Sequence, residues 1–182
     1  MRHNVERRIP IVRGEWRVST EPDVFLTTVL GSCVAACIHD SAAGVGGMNH
    51  FLLPGTAGKG RASDAERYGV HLMELLINGL LQKGAHKNSM EAKLFGGGNV
   101  VPGLSDIGAQ NVAFAERFLR DEGIRVIGGS VRGDLGRKVE FWPVSGRARQ
   151  MFLRRDELPA DEKTRTQPPP PPPAASGSIE LF

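Results

Sequence analysis

Val24-Phe25-Leu26-Thr27-Thr28-Val29-Leu30, Gly31-Ser32, Cys33-Val34-Ala35-Ala36-Cys37-Ile38-His39, Asp40-Ser41-Ala42-Ala43-Gly44 and Val45-Gly46-Gly47-Met48-Asn49-His50-Phe51-Leu52-Leu53 follow one another in the chain, and their reading decides the fold. The first run is apolar and β-branched, as a buried strand requires. Gly31-Ser32 breaks it. The next two long runs read as strands joined by a short turn and ended by Pro54-Gly55. Pairing Asp40 with Ala43 around a tight turn sets Cys33 directly opposite His50. Directly opposed residues of an antiparallel pair share a face, with Cα atoms about 4.5–5.5 Å apart. A change in loop register would undo that particular pairing.

A thiol within reach of an imidazole gains thiolate character through a lowered pKa. The imidazole can then protonate a leaving group. Gly31 lets the backbone turn sharply, and N–H groups around Gly31, Ser32 and Cys33 supply a candidate oxyanion hole. Gly46 and Gly47 leave room for a substrate chain. The plainer alternatives are a small buried hydrophobe at Cys33 and an ordinary core histidine at His50. Cys37 reads as core. A zinc site from Cys33, Cys37, His39 and His50 has an unusual ligand spacing, so no metal is expected. No Gly-x-Ser-x-Gly elbow offers a serine nucleophile. Gly96-Gly97-Gly98-Asn99 lacks the Gly-Lys-Ser/Thr ending of a phosphate loop and reads better as a tight turn beside the site.

Outward from this stretch, residues 1–12 read as a flexible lead-in and residues 15–19 as a strand. Ser63-Asp64-Ala65-Glu66 is a capping box, and Tyr68, Leu72, Leu75, Leu76 and Leu80 follow at helical spacing until Gly84. Residues 92–95 read as a strand. Residues 107–120 read as a second helix with Val112, Ala115, Phe118 and Leu119 inward and Gly123 as its stop. Residues 124–127 read as a strand, and residues 138–143 and 148–153 as a closing hairpin around Ser145-Gly146. The expectation is an α/β (α+β) fold, a single domain of layered mixed β-sheets with two main helices, over residues 13–156. Residues 157–182 form a proline-rich tail, expected to be disordered, with consecutive prolines at 168–173 and an apolar tip, Ile179-Glu180-Leu181-Phe182, that reads as a docking element.

The bulk numbers narrow the function classes. A chain of 182 residues that is 40% hydrophobic can build one core. It has no apolar run long enough to span a membrane and no secretory signal pattern at Met1-Arg2-His3-Asn4, so the expected compartment is the cytoplasm. Two cysteines fit reduced thiols rather than a disulfide scaffold. The net charge of +3 comes from scattered basic residues, and aromatics make up only 6%, which argues against a base-stacking platform. No nucleic-acid-binding motif is present.

Several of these stretches, taken in order, resemble the CheD family of chemoreceptor glutamine deamidases. They are Thr28-Val29-Leu30-Gly31-Ser32-Cys33-Val34-Ala35-Ala36-Cys37-Ile38, Gly47-Met48-Asn49-His50-Phe51-Leu52-Leu53-Pro54, Arg67-Tyr68-Gly69-Val70, Ala92-Lys93-Leu94-Phe95-Gly96-Gly97-Gly98 and Ile107-Gly108-Ala109-Gln110-Asn111. The resemblance implies Cys33 as nucleophile and His50 as acid and base. It places the family's threonine on Thr27, where it would orient the imidazole, with Thr28 as an adjacent hydroxyl. It implies deamidation of glutamine side chains on methyl-accepting chemotaxis receptors through a thioester, with receptor methyl-ester hydrolysis as a second activity and no metal or organic cofactor. It also implies a fold shared with bacterial toxin deamidases, and binding to a CheC phosphatase. The alternative is a non-catalytic adaptor that binds receptors or such a phosphatase through the same surface.

Overall fold

The structure is a computed structural model and describes residues 5–53, 62–101, 103 and 105–163. The deciding stretch supplies β3 (Val24–Leu30), β4 (Val34–Asp40) and β5 (Val45–Asn49). Around them lie β1 (Arg7–Pro10), β2 (Trp16–Ser19), β6 (Glu91–Gly96), β7 (Arg125–Val131), β8 (Gly136–Phe141) and β9 (Ala148–Leu153). The helices are α1 (Ala62–Gln82), α2 (Ser105–Asp121) and a short α3 (Ala160–Lys163). β2-β5-β4-β6-β7 make one sheet and β1-β3-β8-β9 the other. The fold is thus a single mixed α/β unit with two sheets and few helices.

β3 and β4 stand in different sheets, so the Gly31–Ser32 break is where the chain crosses from one layer to the other. β4 is buried at every position because both its faces are covered. Val34, Ala36 and Ile38 face the helices, among Leu72, Leu76 and Leu80 of α1 and Val112, Ala115 and Leu119 of α2. Cys33, Ala35 and Cys37 face the other sheet, among Leu26, Leu30, Val139 and Phe141. A strand buried on both sides loses the apolar–polar alternation and reads as a continuous apolar run. Two glycines terminate the long helices as expected. Ala85 N–H bonds Leu80 C=O and Ile124 N–H bonds Leu119 C=O, with Gly84 and Gly123 at positive φ between them. This is the Schellman arrangement.

Four expectations differ from the structure. The hairpin turn is wider than the tight one assumed: Asp40 pairs with Val45 and Cys37 with Met48, so Ala35 rather than Cys33 lies opposite His50 in that register. The displacement is by two residues, which preserves the face each side chain occupies. The lead-in carries a strand, β1, paired in parallel with β3, and ends in the buried Ile11. The beginning of the tail is also built into the fold: Leu158 is buried, and Gly136 lies so close that a Cβ there would meet it at 2.4 Å. Gly46 and Gly47 open no channel, because a Cβ on Gly46 would fall 2.2 Å from the Pro143 carbonyl oxygen and one on Gly47 2.7 Å from Leu76. The side chain of Ser63 and the apolar tip at 179–182 lie outside the described residues. Among the described residues, no helix is long and apolar enough to cross a membrane.

Gly96 closes β6 at φ +107, and a Cβ there would stand 2.1 Å from the Cys33 carbonyl oxygen. Gly44 also has positive φ but nothing within 4 Å of its would-be Cβ. Gly44→Ala is expected to cost about 1 kcal/mol, from backbone conformation alone. Gly96→Ala should cost clearly more, because it adds a backbone clash. Urea midpoints of the two variants, at unchanged m-value, give the comparison.

Candidate active site

The crossing turn is held from three directions. Gly97 N–H donates to Cys33 C=O at 2.7 Å and Gly98 N–H to Gly31 C=O at 2.9 Å. Asn111, fully buried on α2, donates from Nδ2 to Ser32 C=O at 2.8 Å, while its Oδ1 accepts from Leu53 N–H at 3.0 Å. One amide thereby ties the cysteine turn to the segment that carries His50. Behind the glycine run, the buried Arg137 donates to Gly96 and Ser130 carbonyls from Nη1 and to the Arg132 carbonyl from Nη2. The Gly96–Gly98 run, read from the sequence as a tight turn, therefore braces the cysteine turn.

Cys33 and His50 do come together, by a route the simple pairing did not foresee. A thiol and an imidazole two residues out of direct register lie diagonally on one face, still within reach of long side chains. The Cys33 sulfur, an imidazole nitrogen of His50 and a carboxylate oxygen of Glu162 all lie within 4.8 Å of one another. All three residues are buried, at 0%, 3% and 3% exposure, so the group is closed to solvent.

The hydroxyl against the imidazole belongs to Thr28. Its Oγ1 is 2.9 Å from His50 Nδ1 and donates its one proton to Ile11 C=O at 2.7 Å. It can only accept from the ring, so Nδ1 carries a proton and Nε2 keeps the lone pair in the neutral imidazole. Thr27 points away and donates to Val139 C=O at 2.9 Å. The two threonines alternate across β3, and Thr28 shares parity with Leu26 and Leu30, which face the core between the sheets. That parity is the signal in the sequence, obscured because the strand is apolar on both faces. Gly31 contributes its N–H, and Ser32 contributes its carbonyl to Asn111.

Glu162 and Arg13 carried no sequence signal. Glu162 comes from α3, 129 residues beyond Cys33. Its Oε1 accepts from Arg13 Nη2 at 2.9 Å, lies 3.4 Å from the Cys33 sulfur and stands 3.5 Å from His50 Nε2, too far for a full hydrogen bond. Its Oε2 accepts from Gly31 N–H at 2.8 Å. Arg13 also donates to Asp161 C=O at 2.9 Å, which fixes the backbone of α3. Burial alone would raise the Glu162 pKa. His50, the Gly31 N–H and Arg13 outweigh it and hold the carboxyl at about 2. The same carboxylate acts on the Cys33 thiol in the other direction. Burial, and then the charge of Glu162, push the Cys33 thiol well above its ordinary value, against the opposing pull of Arg13. The lowered thiol pKa expected from a neighbouring histidine is therefore not found here. Burial raises the Cys37 thiol too. Cys33, His50 and Glu162 offer three donors of metal-binding type, but the Arg13 guanidinium bonded to the same carboxylate opposes a cation there.

Fold and site together define a layered α/β protein with a buried cysteine–histidine pair, the equipment of cysteine-dependent acyl transfer. A family model described as "CheD chemotactic sensory transduction" matches residues 52–151. A probable chemoreceptor glutamine deamidase CheD of Agrobacterium fabrum is 54% identical over 97% of both chains. One of Rhizobium meliloti with the same description is 60% identical over 81% of both. The chain belongs to the CheD family. Among solved structures, Bacillus licheniformis protein YfiH aligns over 63% of this chain and 49% of its own, at 11% identity and a TM-score of 0.40.

The depressed Glu162 carboxyl predicts a pH-dependent contribution to stability. It is fully present above the ordinary value of 4.5 and is lost as the pH falls toward about 2. The melting temperature of the wild type should exceed that of Glu162→Ala at about pH 6, and the gap should narrow steadily toward about pH 3. A gap constant across that range would mean that the carboxylate's charge contributes nothing.

Proposed function

We propose that this protein hydrolyses glutamine side chains to glutamate on methyl-accepting chemotaxis receptors, with Cys33 as nucleophile. The single observation that carries the mechanism is the Thr28–His50 hydrogen bond, which leaves His50 Nε2 as the proton acceptor on the side of Cys33 and Glu162. The names of the relatives supply the substrate class. With the site open to substrate, His50 Nε2 takes the thiol proton and the Cys33 sulfur attacks the side-chain amide carbon. The Gly31 N–H stands where it can hold the developing oxyanion. His50 returns its proton to the departing ammonia. It then activates a water that opens the thioester, leaving glutamate and the free thiol. Thr28 acts through His50 and is a positioning residue. Thr27, which the family pattern points to, supports the strand by its bond to Val139. Hydrolysis of receptor methyl esters would follow the same acyl chemistry with methanol as the leaving group. Cytoplasmic placement and binding to a CheC-type phosphatase belong to the same proposal and rest on the family resemblance.

Mass spectrometry of a receptor cytoplasmic fragment, before and after incubation, tests the assignment. Cys33→Ala should lower the deamidation rate by more than about a thousandfold, whereas Cys37→Ala should keep most of it. A folded Cys33→Ala protein with normal turnover would remove the mechanism. Thr28→Val should lower kcat about ten- to a hundredfold and change the pH profile, with Thr27→Val much milder. The reverse order would return the orienting role to Thr27.

A further inference from the structure

Glu162 is a glutamate, its carboxylate lies at the candidate nucleophile, and the reaction proposed above ends in a glutamate at that nucleophile. We propose that α3 docks as an intramolecular product mimic, so that Glu162 fills the glutamyl pocket and a receptor must displace it to be modified. This inference rests on the deamidase reading for its chemistry. The closure of the site rests on geometry alone.

The two carboxylate oxygens occupy distinct positions. Oε2 accepts from the Gly31 N–H, where the carbonyl oxygen of a bound glutamine would meet its oxyanion donor. Oε1 stands between the Cys33 sulfur and His50 Nε2, where the leaving nitrogen departs and the attacking water arrives. Arg13 clamps the segment through both the Glu162 side chain and the Asp161 carbonyl. The Gly31 backbone approaches α3 closely, since a Cβ there would lie 2.9 Å from the Glu162 carbonyl oxygen. A glycine at 31 therefore serves the docked chain as well as the turn. Cys33 and His50 are almost wholly buried, and the Glu162 carboxylate lies against both of them.

The geometry has a chemical corollary. Glutamine at position 162 would present its amide where the carboxylate now lies. Cys33 would attack its side-chain carbon, the C–N bond would break with release of ammonia, and water would cleave the thioester. The variant would thereby regenerate glutamate at 162 with the thiol restored.

The experiment uses full-length wild type, Glu162→Ala, Glu162→Gln and the double variant Cys33→Ala/Glu162→Gln. Iodoacetamide labelling of Cys33 at neutral pH reads docking without any substrate. Glu162→Ala should label at least about tenfold faster than wild type, because α3 loses the side chain that anchors it at Cys33 and the negative charge beside the sulfur is removed. Equal rates in folded proteins, checked by melting temperature, would overturn the proposal. Peptide mass spectrometry follows residue 162 in Glu162→Gln. Conversion to glutamate at a rate independent of protein concentration, and absent in the double variant, is expected. A stable glutamine at 162 in a preparation that deamidates the receptor fragment would overturn the mimicry. With the receptor fragment, Glu162→Ala should show a KM several-fold lower than wild type, and an unchanged KM would refute competition by the segment. If no protein turns over the fragment while Glu162→Ala still labels faster, the deamidase reading fails and the docking of α3 stands.

Discussion

Everything at the site depends on one backbone crossing. Between β3 and β4 the chain leaves one sheet and enters the other, and within that passage it must turn sharply while keeping its carbonyls bonded. The Gly97 and Gly98 N–H groups take two of them, and the Asn111 side chain takes the third. The partner at Gly96 must be glycine, because the two backbones approach too closely for any side chain. The result is a rigid seam at which Cys33 ends the turn and faces the space between the sheets. Rigidity at this point matters for the role proposed for Cys33, because a reacting group misplaced by about 1 Å loses much of its rate.

The seam alone does not make a chemical site. His50 reaches it from the segment following β5, and that segment is tied to the same turn by Asn111. Thr28 reaches it from β3, on the opposite sheet, and fixes the proton on the far side of the ring. Three elements from two layers thus converge at one end of the inter-sheet core. A single strand slipping by one residue would send one of the three groups to the wrong face.

The charges at the site favour a resting state. Arg13, Glu162 and the Gly31 N–H satisfy one another in a buried space where unpaired charge would be costly. Burial, and then the same carboxylate, push the Cys33 thiol well above its ordinary value. A thiol buried beside a carboxylate in this way is protected from adventitious alkylation and oxidation, since both depend on thiolate and exposure.

The sequence by itself determined the elements. The apolar runs at 24–30 and 33–39, the helical spacing from Tyr68 to Leu80 and the stops at Gly84 and Gly123 are local patterns, and local hydrogen bonding and periodic burial fix such patterns within a few residues. That the cysteine after Gly31-Ser32 and the histidine after β5 share a face was settled by the turn, which displaced the simple pairing by an even number of residues. Tertiary structure alone decided which threonine meets the ring, because β3 is apolar on both faces and its sequence does not say which face points at β4. It alone decided that Gly46 and Gly47 are packed against Pro143 and Leu76 rather than open. It alone brought Arg13 and Glu162 to Cys33, one from the first residue after the segment read as a lead-in and the other from the segment read as a tail. Contacts across 129 residues leave no periodic trace in a chain, because they are selected by the shape and charge of a site that exists only after both sheets have packed.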